Sequence, residues 1–418
     1  MSEPGVPFLS VTAHYIDSLD GKPQEWELKS EQLAFTIINS NHSGSNIGQI
    51  LIETINNYNF HTKAVAFTID PSGKDWIAGK HHVHCMEHAL HLAVKHFIED
   101  VYPTPASILI RNKTNEDDNN EVTNEVDNDE VTNFNVTNTM GKALALVWKS
   151  PQACTFFHKC CAAVNEPNLK LLKWIHTRWA LFFAILECTL KLCKGVNRFI
   201  QLIDDSDKVP NLQSKTYGAF KLLAKECKKL ELMHNMLQES ANAQQSFSAT
   251  HEPTVWHTIP VLKFLQQTWQ NIARSLKFND FSTAINSSIN NLHKWYHKIN
   301  ETDVYFICLA LDPNYKVAYA KSKWEPCDFD KDMRRLQNVF NTYYHCGSLP
   351  NAEPVVAAPS SLTHQGLYGH KLKDYLASPL KDIENIVAWW GHHFIQYPNI
   401  SRIPKDYLAI QGSTVASE

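Results

Sequence analysis

The chain has 418 residues, 44% of them hydrophobic and 20% charged, with a formal net charge of −4. That length suits a large core in two or three domains, and that composition suits a soluble globular protein. The charge excludes a general attraction to polyanions, so any nucleic-acid contact must be a local patch.

No apolar run is long enough to span a bilayer, and the start, MSEPGVPFLSVTAH, lacks the charged-then-apolar layout of a signal peptide. Ten cysteines without regular spacing point to reduced thiols. The nucleus or the cytoplasm is therefore expected, not secretion.

In chain order, Phe8–Ile16 alternates and is rich in β-formers, and Asp20-Gly21 supplies a turn. Residues 26–30 and 33–38 continue the sheet. Ser45 is placed to cap a helix over 46–58, with Ile47, Ile50, Leu51 and Ile55 on one face. Residues 64–69 form a short apolar run ending at Asp70, which fits a buried central strand. Three strands, a helix and a buried strand ending in a carboxylate predict an α/β core.

The tract 112–139 is dominated by Asn and acidic residues and repeats Glu-Val-Thr-Asn and its variants. It cannot bury enough apolar surface to order itself and reads as a solvated loop. From about 140 to 345 the pattern is helical. Ser150-Pro151 starts one helix, and 169–191, 216–238, 256–272 and 278–299 follow. Residues 348–366 are a Pro-, Ala- and Ser-rich linker.

Four places could carry chemistry. Asp70 stands where open α/β sheets bind ligands, although a turn aspartate before Pro71 is the plainer alternative. Cys85 and His88, spaced i and i+3, fall on one helix face. Two ligands are too few for a closed zinc site, which favours packing or a positional role. In Thr177-Arg178-Trp179, the guanidinium offers a phosphate fork and the indole a stacking face. Trp179 reads equally well as a core aromatic on an apolar helix. Finally, Asp312-Pro313 makes a helix stop, assigned to architecture.

These motifs, in their order, resemble the hAT superfamily of DNA transposases. The C-terminal stretch carries most of the likeness: Tyr375-Leu376, Pro379, Trp389-Trp390, Tyr397-Pro398 and Asp406 to Ile410, with Ser417-Glu418 opening a last motif. VTAHYID, Asp70, Cys85-x-x-His88, Thr177-Arg178-Trp179 and Leu311-Asp312-Pro313-Asn314-Tyr315-Lys316 precede it.

The resemblance implies a mixed α+β, α/β fold. Residues 1–84 would begin an incomplete ribonuclease-H-like core, interrupted by a large all-helical insertion over 85–370. A helical dimerisation segment would occupy 371–418. It implies that Trp389, Trp390, Tyr397, Tyr407 and Leu408 serve dimerisation, and that Arg178 and Trp179 contact DNA. Asp70 and Glu418 would be vestigial catalytic carboxylates, with Asp70 a vestigial metal ligand.

The family's catalytic set is Asp-Asp-Glu with Mg2+. Its first aspartate has no counterpart here, the chain reads as truncated at both ends, and the usual Asp-Asn-Ala-Ser-Asn-Asn is Asp70-Pro-Ser-Gly-Lys-Asp75. The expectation is a degenerate transposase-derived protein that self-associates as a homodimer or higher oligomer. It would bind DNA weakly, cleave none and hold no cofactor. Neither a membrane nor a small-molecule substrate is expected. The alternative is a domesticated nuclear DNA- or chromatin-binding protein.

Overall fold

The computed structural model describes residues 8–18, 22, 25–38, 44–60, 63–69, 81–102, 139, 142, 151–172, 179–203, 216–248, 252–299, 301–345 and 364–414. The chain divides into two compact units. One comprises residues 1–89, 244–263 and 294–418, and the other residues 90–243 and 264–293. The helices of 294–345, grouped with the insertion in the sequence reading, thus belong to the first unit.

The first unit opens with strands β1 (Phe8–Asp17) and β2 (Glu27–Ile37), paired antiparallel from Phe8 opposite Ile37 to Asp17 opposite Glu27. The register shifts between Val11 and Thr12, which leaves Leu33 as the extra residue of a bulge. Its carbonyl accepts the Tyr58 hydroxyl at 3.0 Å. The two separate segments expected over 26–38 are therefore one strand.

Helix α1 (Gly44–Asn57) buries Leu51 and Thr54, and Ser45, expected to cap it, lies within the helix. Strand β3 (Ala66–Ile69) pairs parallel with β4 (His81–His84). β3 is half-buried along its length, so the fully buried central strand is corrected: among the described residues it has one partner strand. Helix α2 (Met86–Val101) follows β4 directly and fully buries Met86, Ala89, Leu90, Ala93, Val94 and Phe97, the spacing of a core-facing stripe.

The second unit is helical. Helices α3 (Pro151–Ala163), α4 (Trp179–Lys191), α5 (Cys193–Ile203) and α6 (Ala224–Phe247) lead to α7 (Thr258–Arg274) and α8 (Ser282–Ile299). Phe199 of α5 meets Phe157 of α3 at 5.9 Å between ring centroids, and the buried Trp269 indole donates to the Met236 carbonyl at 3.3 Å.

The long helix expected over 169–191 is shorter. Asn165 turns the chain through a left-handed φ of 57°, Pro167 withholds a donor, and residues 166–172 are irregular. The helix expected over 216–238 is likewise divided. A 3-10 turn over Tyr217–Phe220 precedes α6, because Leu222 gives both backbone groups to the Asn197 side chain.

The first unit then continues through α9 (Val304–Leu311), α10 (Ala318–Lys323), α11 (Pro326–His345), α12 (His364–Ala377), α13 (Ile386–His392) and α14 (Arg402–Tyr407). The last residues of the expected linker open α12. The tract 112–138 lies outside the described residues.

Candidate functional site

Every residue of α9 is buried. A helix with no polar face must end inside the core, where its last carbonyls still need donors. The C-terminal region supplies them. The Tyr375 hydroxyl donates to the Ala310 carbonyl at 3.1 Å, and the Trp390 indole donates to Leu311 at 2.8 Å.

The loop after α9 returns the favour to α12. Lys316, with a left-handed φ of 48°, sends its buried ammonium to the helix end. It donates to the carbonyls of Tyr375 (2.7 Å), Ser378 (2.6 Å) and Pro379 (3.3 Å), and to the Ser378 hydroxyl (2.6 Å). A cation at a helix C-terminus also meets the negative end of the dipole. Asn314 pairs both ways with Ile383: its amide donates at 2.9 Å and its carbonyl accepts at 2.8 Å. Two motifs that read separately in the sequence are the two halves of one contact.

Burial sets the electrostatics here. Asp312 is pushed from 3.8 up to about 7 by burial, against the opposing pull of Asn314. Its Oδ1 accepts the Asn314 amide, while Oδ2 has no hydrogen-bond partner. Burial and the nearby Lys381 bring Lys316 down from 10.5 to about 8.

A second seam ties residues 411–414 to the β3–β4–α2 region. Thr68 donates to the Gln411 carbonyl at 2.5 Å. The Met86 amide, at the start of α2, donates to the Gly412 carbonyl at 2.7 Å. Gly412 in turn donates to the Thr254 hydroxyl oxygen at 2.7 Å. The Cys85 thiol faces Thr414, whose hydroxyl lies 3.4 Å away.

The sequence-predicted residues fall out as follows. Asp70, Arg178 and Glu418 lie outside the described residues, and so does the side chain of Trp179, which opens α4. The seam nevertheless joins chain that flanks both carboxylates, since Ile69 precedes Asp70 and Thr414 stands four residues before Glu418. Among the described residues no group of three His, Cys, Asp or Glu side chains could hold a metal ion.

Cys85 and His88 stand at the start of α2, Cys85 just before it and His88 in its first turn, and they meet different partners. Cys85 precedes α2, accepting the Ala89 amide on its carbonyl, and its thiol meets the C-terminal segment. His88 rests edge-on against Trp295, 6.1 Å between centroids. The helix begins one residue later than that spacing implied.

The expected dimerisation anchors are also internal. Trp390, Tyr397, Tyr407 and Leu408 are buried within the chain, and Trp389 is half-buried, with the His393 ring stacked on it at 3.9 Å. Among the described residues of the region, the exposed large apolar side chains are Leu380 (51%) and Ile395 (81%). Sequence reasoning missed Lys316, Asn314 and Gln411. The first two stood inside a recognised motif, and only their burial gives them a role.

The described residues thus form a small α/β portion, a helical remainder and a C-terminal region in which Trp390 is buried and Trp389 half-buried. Residues 1–100 match the ZBED1 RNase-like domain, and residues 371–418 match the hAT family C-terminal dimerisation region. The chain is 22% identical over 466 aligned positions to the AC transposase of Zea mays, across 98% of this chain and 51% of that protein. It is 27% identical over 154 positions to the AC9 transposase of Zea mays, across 29% of this chain and 18% of that one. The chain is thus similar to hAT transposases, by its two ends in the family matches and along its length in the alignment. It spans about half the length of the relative it matches throughout.

Proposed function

We infer that this is a degenerate hAT-transposase-derived protein that works by self-association through residues 371–418. One observation carries the reading: the region that matches the family's dimerisation region is firmly anchored, yet leaves Leu380 and Ile395 exposed. Large exposed aliphatic groups on a rigid scaffold suit a protein interface. Sedimentation equilibrium of the full chain at micromolar concentration is expected to give a dimer or higher oligomer. Ile395→Glu with Leu380→Glu should give a folded monomer. A wild-type monomer would overturn the reading.

Weak DNA contact through Arg178 and Trp179 is the second part of the proposal, with the nucleus as its place. It is supported by the chemistry of the pair, a guanidinium that offers a phosphate fork beside an indole that offers a stacking face. DNA cleavage has no part in this reading, given the altered stretch Asp70 to Asp75. End-labelled DNA incubated with Mg2+ should stay intact. Cleavage that disappears in Asp70→Ala would refute that part.

A further inference from the structure

The second unit carries cations that its acids do not answer. Glu166 uses both oxygens at the start of α5, accepting the Lys194 and Gly195 amides at 2.9 and 2.6 Å. There its charge meets the positive end of the helix dipole. Glu187 pairs with Lys191 at 2.9 Å. Glu226 accepts the Lys142 ammonium on one oxygen at 2.7 Å and the Leu223 amide on the other at 2.8 Å. Lys194 and Arg198 of α5, and Lys221, Lys225 and Lys228 at the start of α6, are half-buried by none of these bonds: all five are exposed. None of the five side chains has an ion pair among the described residues. Glu231, one turn past Lys228, is the acid that borders them.

Hydrogen bonds fix the two groups beside each other. Asn197 of α5 holds the amide and the carbonyl of Leu222 at 3.1 and 2.9 Å. Lys194 and Arg198 lie about 60° and about 100° round α5 from Asn197, both to the same side of it. Lys221 is the neighbour of Leu222, and Lys225 and Lys228 follow at the spacing of one helix face. A locally positive surface thus stands on a chain whose net charge is −4.

We propose that Lys194, Arg198, Lys221, Lys225 and Lys228 form a basic face that holds the phosphate backbone of a DNA duplex. The proposal rests on the DNA contact read above and extends it from the base to the backbone. Helix α4, which Trp179 opens, runs into α5 across Leu192 alone. Lys191, at its far end, is about 18 Å from Trp179 along the helix, well within one turn of duplex, about 34 Å. One duplex can therefore meet both places. Cations on fixed helix starts release counterions from phosphates and read no sequence, so this face sets affinity and register rather than specificity.

The test is fluorescence anisotropy of the full chain with a labelled duplex carrying one unpaired base, titrated from about 50 to about 200 mM salt. Lys194→Gln with Arg198→Gln, and Lys221→Gln with Lys225→Gln, should each weaken binding about tenfold and lower the slope of log affinity against log salt by about two. Lys321→Gln with Lys323→Gln, an exposed pair on α10 of the other unit, should match wild type. An unchanged slope in both α5 and α6 variants, or an equal loss in the α10 pair, would overturn the proposal. So would polyglutamate that competes as well as duplex at equal charge, which would make this a surface for acidic polypeptides. Trp179→Ala separates the two readings. Loss there, with intact slopes in the α5 and α6 variants, drops the face and keeps the indole, and the reverse keeps the face. Absence of wild-type binding at about 50 mM salt ends both. If a variant misfolds, lysine acetylation of the wild type decides: the duplex should shield Lys194, Lys221, Lys225 and Lys228, and unchanged labelling of all four overturns the face.

Discussion

Lys316 and Ser378, 62 residues apart, meet twice at 2.6 Å, the lysine ammonium donating to both the carbonyl and the hydroxyl of the serine. That pair fastens the C-terminal region to the loop after α9. The region is thus part of the first unit's core, and it takes its shape from residues that precede it by some sixty positions.

Lys316→Met tests the fastening. The substitution keeps length and apolar bulk but strips the donor from three carbonyls at the end of α12. The expected loss is about 3 kcal/mol, since each buried acceptor left unmet costs about 1–3 kcal/mol. Urea unfolding gives the value. A change under about 1 kcal/mol would show that the carbonyls find other donors.

Asp312 predicts how stability follows pH. Its value is 3.8 in the ordinary state and about 7 when folded, so the folded chain holds the proton more tightly. Its contribution is fully present below 3.8 and is lost as pH rises through about 7. Asp312→Asn cannot titrate and should flatten the stability curve over that window. Urea midpoints at several pH values decide it, and an unchanged slope would exclude Asp312 as the source.

The seam at Gly412 predicts a local effect. Thr254→Val removes the acceptor of the Gly412 amide and the donor to the Gln411 side chain. A loss of about 1–2 kcal/mol is expected from two net hydrogen bonds. Amide exchange at Gly412 and Met86 should quicken most. Uniform quickening across the chain would mean that the seam has no local stability of its own.

Trp179→Ala tests the DNA contact. On a duplex with one unpaired base, at matched salt, wild type should bind several-fold more tightly. Equal affinity with unchanged folding would assign the indole to packing.

The sequence shows local pattern well and partners poorly. The β1–β2 hairpin, the α9 stop at Asp312 and the paired tryptophans were all legible, because alternation, proline and aromatic content are local signals. Lys316 was not. A lysine in a turn reads as solvated, and only α12 makes it buried. The burial of Trp390, expected to serve dimerisation, was hidden for the same reason, since the Leu311 carbonyl it satisfies lies 79 residues away. Cys85 turned out to be the residue just before α2, its carbonyl accepting the first helical amide, and the pattern of the sequence does not show that its thiol meets the C-terminal segment.

The Thr68–Gln411 bond spans 343 residues. During synthesis, β3 and the start of α2 leave the ribosome long before their partner is made. Until then Thr68 and the Met86 amide must be satisfied by water or by a chaperone. Closing the seam is a late, high-contact-order step, which makes folding slow and sensitive to how fast the final segment is delivered.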